Sequence, residues 1–64
     1  MKLRIENMTC GGCARSVTAT VKDADVSAAV EIDVATKLVE ISNVANEQKI
    51  LDALAEDGFP AEVL

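Results

Sequence analysis

Two cysteines are the residues of this chain best suited to chemistry, and they lie three positions apart. Cys10 and Cys13 stand in the segment 8–13, whose sequence is MTCGGC. A disulfide between them would close a very short loop and could not connect distant parts of the chain. Paired thiols at this spacing are typical of a metal site or of a redox pair. The spacing therefore predicts a functional dithiol.

Composition removes several other classes of function. The 64 residues contain no His, Trp or Tyr, so the usual general base near neutral pH and every imidazole metal ligand are absent. The net charge is −5, with 11 acidic and 6 basic residues. Nucleic-acid contacts need clustered Lys and Arg and, for single strands, aromatic stacking surfaces, whereas Phe59 is the one aromatic residue. We predict a protein that is not an enzyme and has no nucleic-acid partner.

The residues around the two thiols favour a soft metal. Gly11 and Gly12 are expected to let the backbone curl, so that both sulfurs approach one point. Cys13 is expected near the start of a helix, where the helix dipole favours the thiolate. Zinc prefers four ligands, and Glu6 is the only acid near the cysteines in sequence. Two thiolates suit Cu(I), which accepts two-coordination and stays open to a third thiolate.

Alternating apolar and polar residues predict the strands that would position this segment. The first covers about residues 2–7, and the last begins at Pro60 and includes Ala61 and Val63. Val30, Ile32 and Val34 mark the second strand, and residues 38–42 form the third. The short connection 35–37 predicts a hairpin between the second and third strands.

Two stretches with helical periodicity separate these strands. From about Cys13 to Ala24 the apolar residues share one face, whereas residues 8–12 are predicted to form a loop. A second helix is expected to begin after the N-cap Asn46 and to end at Gly58. The core positions of the two helices are predicted to be Val17, Val21, Leu51 and Leu54.

The order of elements predicts an α+β fold of the ferredoxin-like βαββαβ type. Two helices would cover one face of a four-stranded antiparallel sheet. Residues 1–64 are too few for a second hydrophobic core, so we expect a single domain. No apolar run approaches the roughly 20 residues of a membrane span, and residues 1–6 contain no hydrophobic signal region. We expect a cytoplasmic location without membrane insertion.

The chain resembles the heavy-metal-associated domain family over its whole length. This family includes small bacterial copper chaperones and the N-terminal metal-binding domains of copper-transporting P-type ATPases. The resemblance rests on residues 8–13, which match the family's M-x-C-x-x-C motif, and on Gly58-Phe59, which is similar to a late glycine–aromatic loop. It implies that Cys10 and Cys13 are the metal ligands and that Met8 anchors the loop in the core without binding metal.

The resemblance also implies residues that surround the metal without binding it: Met8, Thr9, Gly11, Gly12 and Phe59. Thr9 stands where zinc- and cadmium-transporting relatives often have an acid, which favours copper. Two positions depart from the family pattern. Asn7 replaces a frequent Gly, and Phe59 replaces the Tyr of bacterial chaperones or the Lys of eukaryotic ones. These departures concern the start of the metal loop and the side chain that faces the metal.

We therefore interpret the chain as a cytosolic Cu(I) metallochaperone that passes copper by thiolate exchange. Its expected partner is the metal-binding domain of a copper-transporting P-type ATPase, and a copper-bridged homodimer is a further expectation. The alternatives are a dithiol–disulfide redox protein and a binding or detoxification domain for Hg(II), Zn(II) or Cd(II). Lys2, Arg15 and Lys22 are candidates for a basic patch beside the site.

Overall fold

The computed structural model describes residues 1–9 and 11–64. The predicted order of elements is confirmed: β1 (Lys2–Arg4), α1 (Gly11–Ala24), β2 (Ala29–Asp33), β3 (Leu38–Ser42), α2 (Glu47–Glu56) and β4 (Glu62–Val63). The sheet is antiparallel with strand order β2-β3-β1-β4. This is the α+β ferredoxin-like architecture that the sequence predicts.

Several predicted boundaries differ from the structure. Val34, predicted in the second strand, lies just beyond β2, which ends at Asp33. β1 ends at Arg4 and β4 is limited to Glu62–Val63, so both are shorter than predicted. Ile5 continues the inward pattern of β1 and is fully buried, although the chain turns directly after it. The first helix begins at Gly11, two residues before the predicted start. It therefore includes two glycines, although glycine has a low helix propensity.

One cluster of buried apolar side chains lies between the helices and the sheet. Its members come from the two central strands, both helices and two connecting segments: Leu3, Ile5, Met8, Val17, Val21, Ala28, Val39, Ile41, Ile50 and Leu54. Three of the four predicted helical core positions belong to it. Leu51 is only half-buried and packs against the cluster, while Ile50 takes the fully buried position. The edge strands β2 and β4 contribute half-buried or exposed side chains.

Strand directions divide the molecule into two ends. The loop end comprises residues 5–9, 34–37 and 57–59, because the end of β1 meets the β2–β3 turn there. The backbone N–H of Ile5 donates to the Lys37 carbonyl at 2.9 Å. The terminal end comprises residues 1, 25–28, 43–46 and 64. There the Met1 amino group donates to the Ile41 carbonyl at 2.7 Å, and the Leu64 N–H donates to the Lys2 carbonyl at 2.9 Å.

Both ends of α2 have the predicted caps. Asn46 accepts a hydrogen bond from the Lys49 N–H at 3.2 Å, as an N-cap should. Gly58 has a φ of 87°, and its N–H donates to the Ala55 carbonyl at 3.2 Å. The Phe59 N–H donates to the Leu54 carbonyl at 2.8 Å. This pair of bonds is a Schellman motif, which explains why a residue that tolerates positive φ ends the helix.

Asp25 joins the two loops of the terminal end. Its carboxylate accepts from the Ala45 N–H at 2.9 Å and from the Ser27 N–H at 3.0 Å. These bonds, first that of Ala45 and then that of Ser27, hold the pKa of Asp25 below its ordinary value of 3.8. The negative charge of Asp25 therefore stabilises the folded chain.

We expect the stability contributed by Asp25 to depend on pH. A carboxyl group with a lowered pKa in the folded state stabilises it above the unfolded pKa, and this contribution is lost as pH falls through the folded pKa. Asp25→Asn should therefore lower the free energy of unfolding at pH 7, and the difference from wild type should shrink below about pH 4. Urea unfolding at several pH values measures this difference. Asp23→Asn makes the same charge change on the exposed surface of α1 and is the control. A difference that stays constant with pH would contradict the assignment.

Candidate metal centre

The segment before the first cysteine is fixed by a tight turn and a buried side chain. The Met8 N–H donates to the Ile5 carbonyl at 3.2 Å, which closes a turn through Glu6 and Asn7. The Met8 side chain is fully buried in the core. Its position agrees with the expected anchor, and burial on this side of the loop holds the backbone that leads to the exposed Thr9. Cys10 lies outside the residues that the structure describes.

Cys13 occupies the first turn of α1. The helix begins at Gly11, has no acidic residue in its first turn, and leaves N–H groups there without partners in the helix. Such a position favours the thiolate over the thiol, and the thiolate is the form that binds metal. The Cys13 side chain is half-buried and packs against the hydrophobic core. Its sulfur is thus placed by the helix and the core, while part of the side chain reaches the surface.

The two glycines between the cysteines belong to a helix instead of the predicted loop. Gly11 and Gly12 lie in the first turn of α1 and are exposed. A Cβ at Gly11 would meet no atom within 4 Å, and among the described glycines the positive φ belongs to Gly58. Gly11 thus has a helical backbone with open space around it. The predicted approach of the two sulfurs involves Cys10, which lies outside the described residues.

Phe59 is placed by the Schellman motif that ends α2. Its N–H is bound to the Leu54 carbonyl, and its half-buried ring packs against the core cluster that contains Met8. Gly58 and Phe59 also lie at the loop end, next to the turn that precedes the cysteines. The structure thus brings Met8, Cys13 and Phe59 onto one hydrophobic cluster.

A side-chain hydrogen bond connects these two loops. Asn7 Nδ2 donates to the Gly58 carbonyl oxygen at 2.9 Å, across 51 positions of sequence. Sequence reasoning singled out Asn7 only as a departure from the family pattern and did not predict this bond. The available signal was a polar residue at a position where relatives often have glycine. That signal did not identify the partner, Gly58, which lies near the far end of the chain.

The charges near the loop end are paired with one another. Glu6 accepts from Arg4 Nε at 2.7 Å and lies 3.6 Å from Lys37 Nζ. All three side chains are substantially exposed, so these pairs add little stability. These pairs nevertheless place two cations, Arg4 and Lys37, beside Glu6, which is the one acid near the cysteines in sequence. Glu6 is therefore engaged with Arg4 and Lys37 on the protein surface.

The expected basic patch does not form. Lys22 Nζ donates to the Ala28 carbonyl at 2.7 Å, in the α1–β2 connection at the terminal end. Lys2 projects from the sheet face opposite the helices, because its neighbour Leu3 points into the core. Arg15 alone remains near the start of α1. The three basic residues are separated because helix and sheet geometry sends them to different surfaces.

Other potential metal-binding side chains form no second cluster among the described residues. Within residues 1–9 and 11–64, no group of three or more Cys, Asp or Glu side chains could hold a metal ion. A groove of about 550 Å³ between the helices has an acidic and polar lining that includes Asp23, Asp52, Glu56 and Asp57. This groove is open to solvent, and Cys13 is not among its lining residues. The described helices also lack the length and apolar character needed to cross a bilayer.

Residues 2–60 match the heavy-metal-associated domain family. The chain belongs to this family. Comparison with curated protein sequences finds no match. The heavy-metal-associated domain described here is similar to solved structures over nearly its whole length.

Three of these structures indicate the range of relatives. A gold binding protein is 40% identical, with a TM-score of 0.91 over 97% of this chain and 95% of its own. A mutant, trimeric form of the copper chaperone Atx1 from Synechocystis PCC6803 is 31% identical, with a TM-score of 0.89 over 97% and 98%. The N-terminal domain of PacS from Synechocystis PCC6803 is 23% identical, with a TM-score of 0.85 over 98% and 92%, which shows a shared fold.

Replacing Met8 distinguishes an anchor from a ligand. Met8→Ala should lower the free energy of unfolding of the metal-free domain by about 2–5 kcal/mol, because it leaves a cavity in the core. Met8→Leu keeps the volume and removes the sulfur, so it should lower stability by less than about 1.5 kcal/mol. Chemical unfolding of the reduced, metal-free protein measures both values. Metal binding by Met8→Leu should match wild type, and a large loss of affinity would instead identify Met8 as a ligand.

Proposed function

We propose that this domain carries one Cu(I) ion between Cys10 and Cys13 and passes it to a partner by thiolate exchange. The observation that carries the proposal is the position of Cys13. It lies half-buried in the first turn of α1, three residues after Cys10, within a chain of the heavy-metal-associated domain family. Residues 1–64 would act as one domain. The proposed role is binding and delivery without catalysis.

The ligand set favours Cu(I) over zinc. Two thiolates satisfy Cu(I), whereas a structural zinc site needs four ligands and this chain has no histidine. Glu6 could only join a zinc shell by giving up its pairs with Arg4 and Lys37. The copper chaperone Atx1, at 31% identity, supports the same metal.

Transfer would proceed by associative ligand exchange. A partner thiolate forms a new sulfur–copper bond and gives a three-coordinate ion shared between the proteins. One bond to Cys10 or Cys13 then breaks, and the ion moves to the partner with no change in its oxidation state. The partial exposure of Cys13 and the open surface at Gly11 would give the incoming thiolate access to the ion.

The proposed partner is the metal-binding domain of a copper-transporting P-type ATPase. We propose delivery in the cytoplasm, without membrane insertion and without a nucleic-acid partner. A copper-bridged homodimer would form if the second dithiol came from another copy of this chain. Because Atx1 has been solved in a trimeric form, assembly of more than one chain is a reasonable outcome to measure.

A second candidate is a binding or detoxification domain for another soft metal. The gold binding protein, at 40% identity, favours this alternative because gold also prefers sulfur ligands. The same alternative includes a binding or detoxification domain for Hg(II), Zn(II) or Cd(II). A dithiol–disulfide redox protein is the remaining alternative, and it differs in that the cysteines would exchange electrons instead of holding an ion.

Cys10→Ser and Cys13→Ser should each abolish tight Cu(I) binding and leave the metal-free fold intact. Neither thiol connects distant segments, so neither is needed to hold the fold together. Anaerobic titration of the reduced protein against a chromophoric Cu(I) chelator measures the affinity, with circular dichroism as the fold check. Wild type should retain one Cu(I) per chain. Ser16→Ala changes an exposed hydroxyl one helical turn along α1 and should bind as wild type does.

Each outcome of the titration favours one function. Weak Cu(I) binding with tight binding of Hg(II), Cd(II), Zn(II) or gold would support the second candidate. Weak binding of all these metals, combined with repeated insulin reduction in the presence of a reductant, would support the redox protein. Unfolding of either serine variant without metal would contradict the separation of site from fold.

Phe59→Tyr should alter metal exchange with little effect on the fold. The added hydroxyl would enter the loop that is bonded to Asn7, three residues before Cys10, and we propose that it could donate there to a metal-bound thiolate. We expect a change of less than about 0.5 kcal/mol in the free energy of unfolding, because the ring is only partly buried. Stopped-flow transfer of Cu(I) to the chelator should change at least about twofold. Phe59→Leu, which adds no hydroxyl, is the control, and unchanged transfer by Phe59→Tyr would remove Phe59 from the site.

A further inference from the structure

Asn7 connects residues 7–9, the segment that leads to Cys10 and is called the metal loop here, to the loop that carries Phe59. Its amide donates to the Gly58 carbonyl at 2.9 Å, and we call this contact the Asn7 clasp. We propose that Asn7 is a positioning residue for metal exchange and that the clasp slows exchange by restraining the loop. The inference rests on the proposed function, because exchange of a bound ion is what the restraint would govern.

The donor of the clasp, Asn7, lies in a part of the backbone that is held in place. Ile5 and Met8, on either side of the turn, are fully buried. Ile5 is also bound to the Lys37 carbonyl, and Met8 to the Ile5 carbonyl. Asn7 lies between these two anchors and three residues before Cys10. Movement of residues 7–9 away from the core is therefore opposed at Asn7 as well as at Met8.

The other side of the clasp is equally restrained. The Gly58 N–H is bound to the Ala55 carbonyl, and the next N–H, that of Phe59, is bound to the Leu54 carbonyl. The Thr20 hydroxyl donates to the Asp57 carboxylate, which ties the end of α2 to α1. The peptide plane between Gly58 and Phe59 therefore has little freedom, and its carbonyl is a stationary acceptor.

Associative exchange requires the dithiol to rearrange. The ion passes from two sulfur ligands to three, so at least one thiolate must move relative to the other. A hydrogen bond between neutral groups at the surface contributes modestly, so its loss should change a rate by a small factor and leave the fold in place. We therefore expect the variants without the clasp to release Cu(I) about 2- to 10-fold faster.

Two substitutions at Asn7 remove the donor in different ways. Asn7→Asp keeps the shape but directs a carboxylate at the Gly58 carbonyl, and Asn7→Ala removes the side chain without adding charge. An effect shared by both variants belongs to the clasp, and an effect confined to Asn7→Asp belongs to the new charge.

Asn43 provides a matched control at the terminal end. Its Nδ2 also donates to a backbone carbonyl at 2.9 Å, that of Ser27, and it is also exposed. Asn43 has a φ of 60°, a conformation that aspartate tolerates, so Asn43→Asp removes an equivalent bond without added backbone strain. The control thus reproduces the chemical change away from the cysteines.

The experiment combines two measurements on wild type and the three variants. Stopped-flow transfer of Cu(I) to a chromophoric chelator gives the release rate. Amide hydrogen exchange of the metal-free protein, followed by NMR, reports protection at Met8, whose N–H is bound to the Ile5 carbonyl in the segment that the clasp would restrain. We expect faster release and lower protection in both Asn7 variants, and wild-type behaviour at both readouts in Asn43→Asp. If Asn7 only stabilised the fold, the Asn7 variants and Asn43→Asp would change the release rate to a similar extent.

The possible failures can be told apart. Tight Cu(I) binding with wild-type release rates in Asn7→Asp and Asn7→Ala would overturn the inference and leave the proposed function standing. Equal acceleration by Asn43→Asp would also overturn it, because general destabilisation would then explain the rates. If wild type itself binds no Cu(I), the proposed function fails and the role in exchange fails with it. The protection data would still show whether the clasp restrains the loop.

Discussion

The structure depends on burial of one continuous hydrophobic cluster between the sheet and the two helices. A chain of 64 residues can form only one such core, and β1, β2, β3 and both helices place side chains in it or against it. The central strands β1 and β3 supply fully buried side chains, whereas the edge strands supply half-buried or exposed ones. Met8, Cys13 and Phe59 pack on the same cluster from three different segments. The geometry of the loop end is therefore set by core packing.

This arrangement separates the residues that hold the fold from Cys13, the proposed metal ligand. Cys13 lies at the margin of the core, with its sulfur supported from below by apolar contacts and from one side by a helix N-terminus. Removing the half-buried Cys13 side chain would alter the margin of the core, whereas removing the Met8 side chain would open the interior. The buried Met8 side chain thus matters more for stability than the half-buried Cys13 side chain, which agrees with the proposal that the ion leaves while the protein stays folded.

Local patterns were sufficient to predict the architecture. Alternation in residues 38–42, the N-cap at Asn46 and the glycine at position 58 each depend on neighbouring residues, and the structure confirms all three. The errors lie at the ends of elements, where local propensity is a weak guide. Gly11 extends α1 despite its low helix propensity, and β4 is shortened at a sheet edge. The bond from Asn7 to Gly58 joins positions 51 residues apart, so no local pattern could have predicted it.

Both chain termini lie at the end of the sheet away from the cysteine motif. The Met1 amino group is bound at Ile41, and the Leu64 N–H is bound at Lys2. An affinity tag, a fluorescent reporter or a sensor surface attached through either terminus would therefore lie at the end opposite the start of α1, where Cys13 reaches the surface. The same geometry would let such domains be strung in tandem with their metal loops accessible. Immobilised copies of this domain would be well oriented for capturing metal ions from a flowing sample.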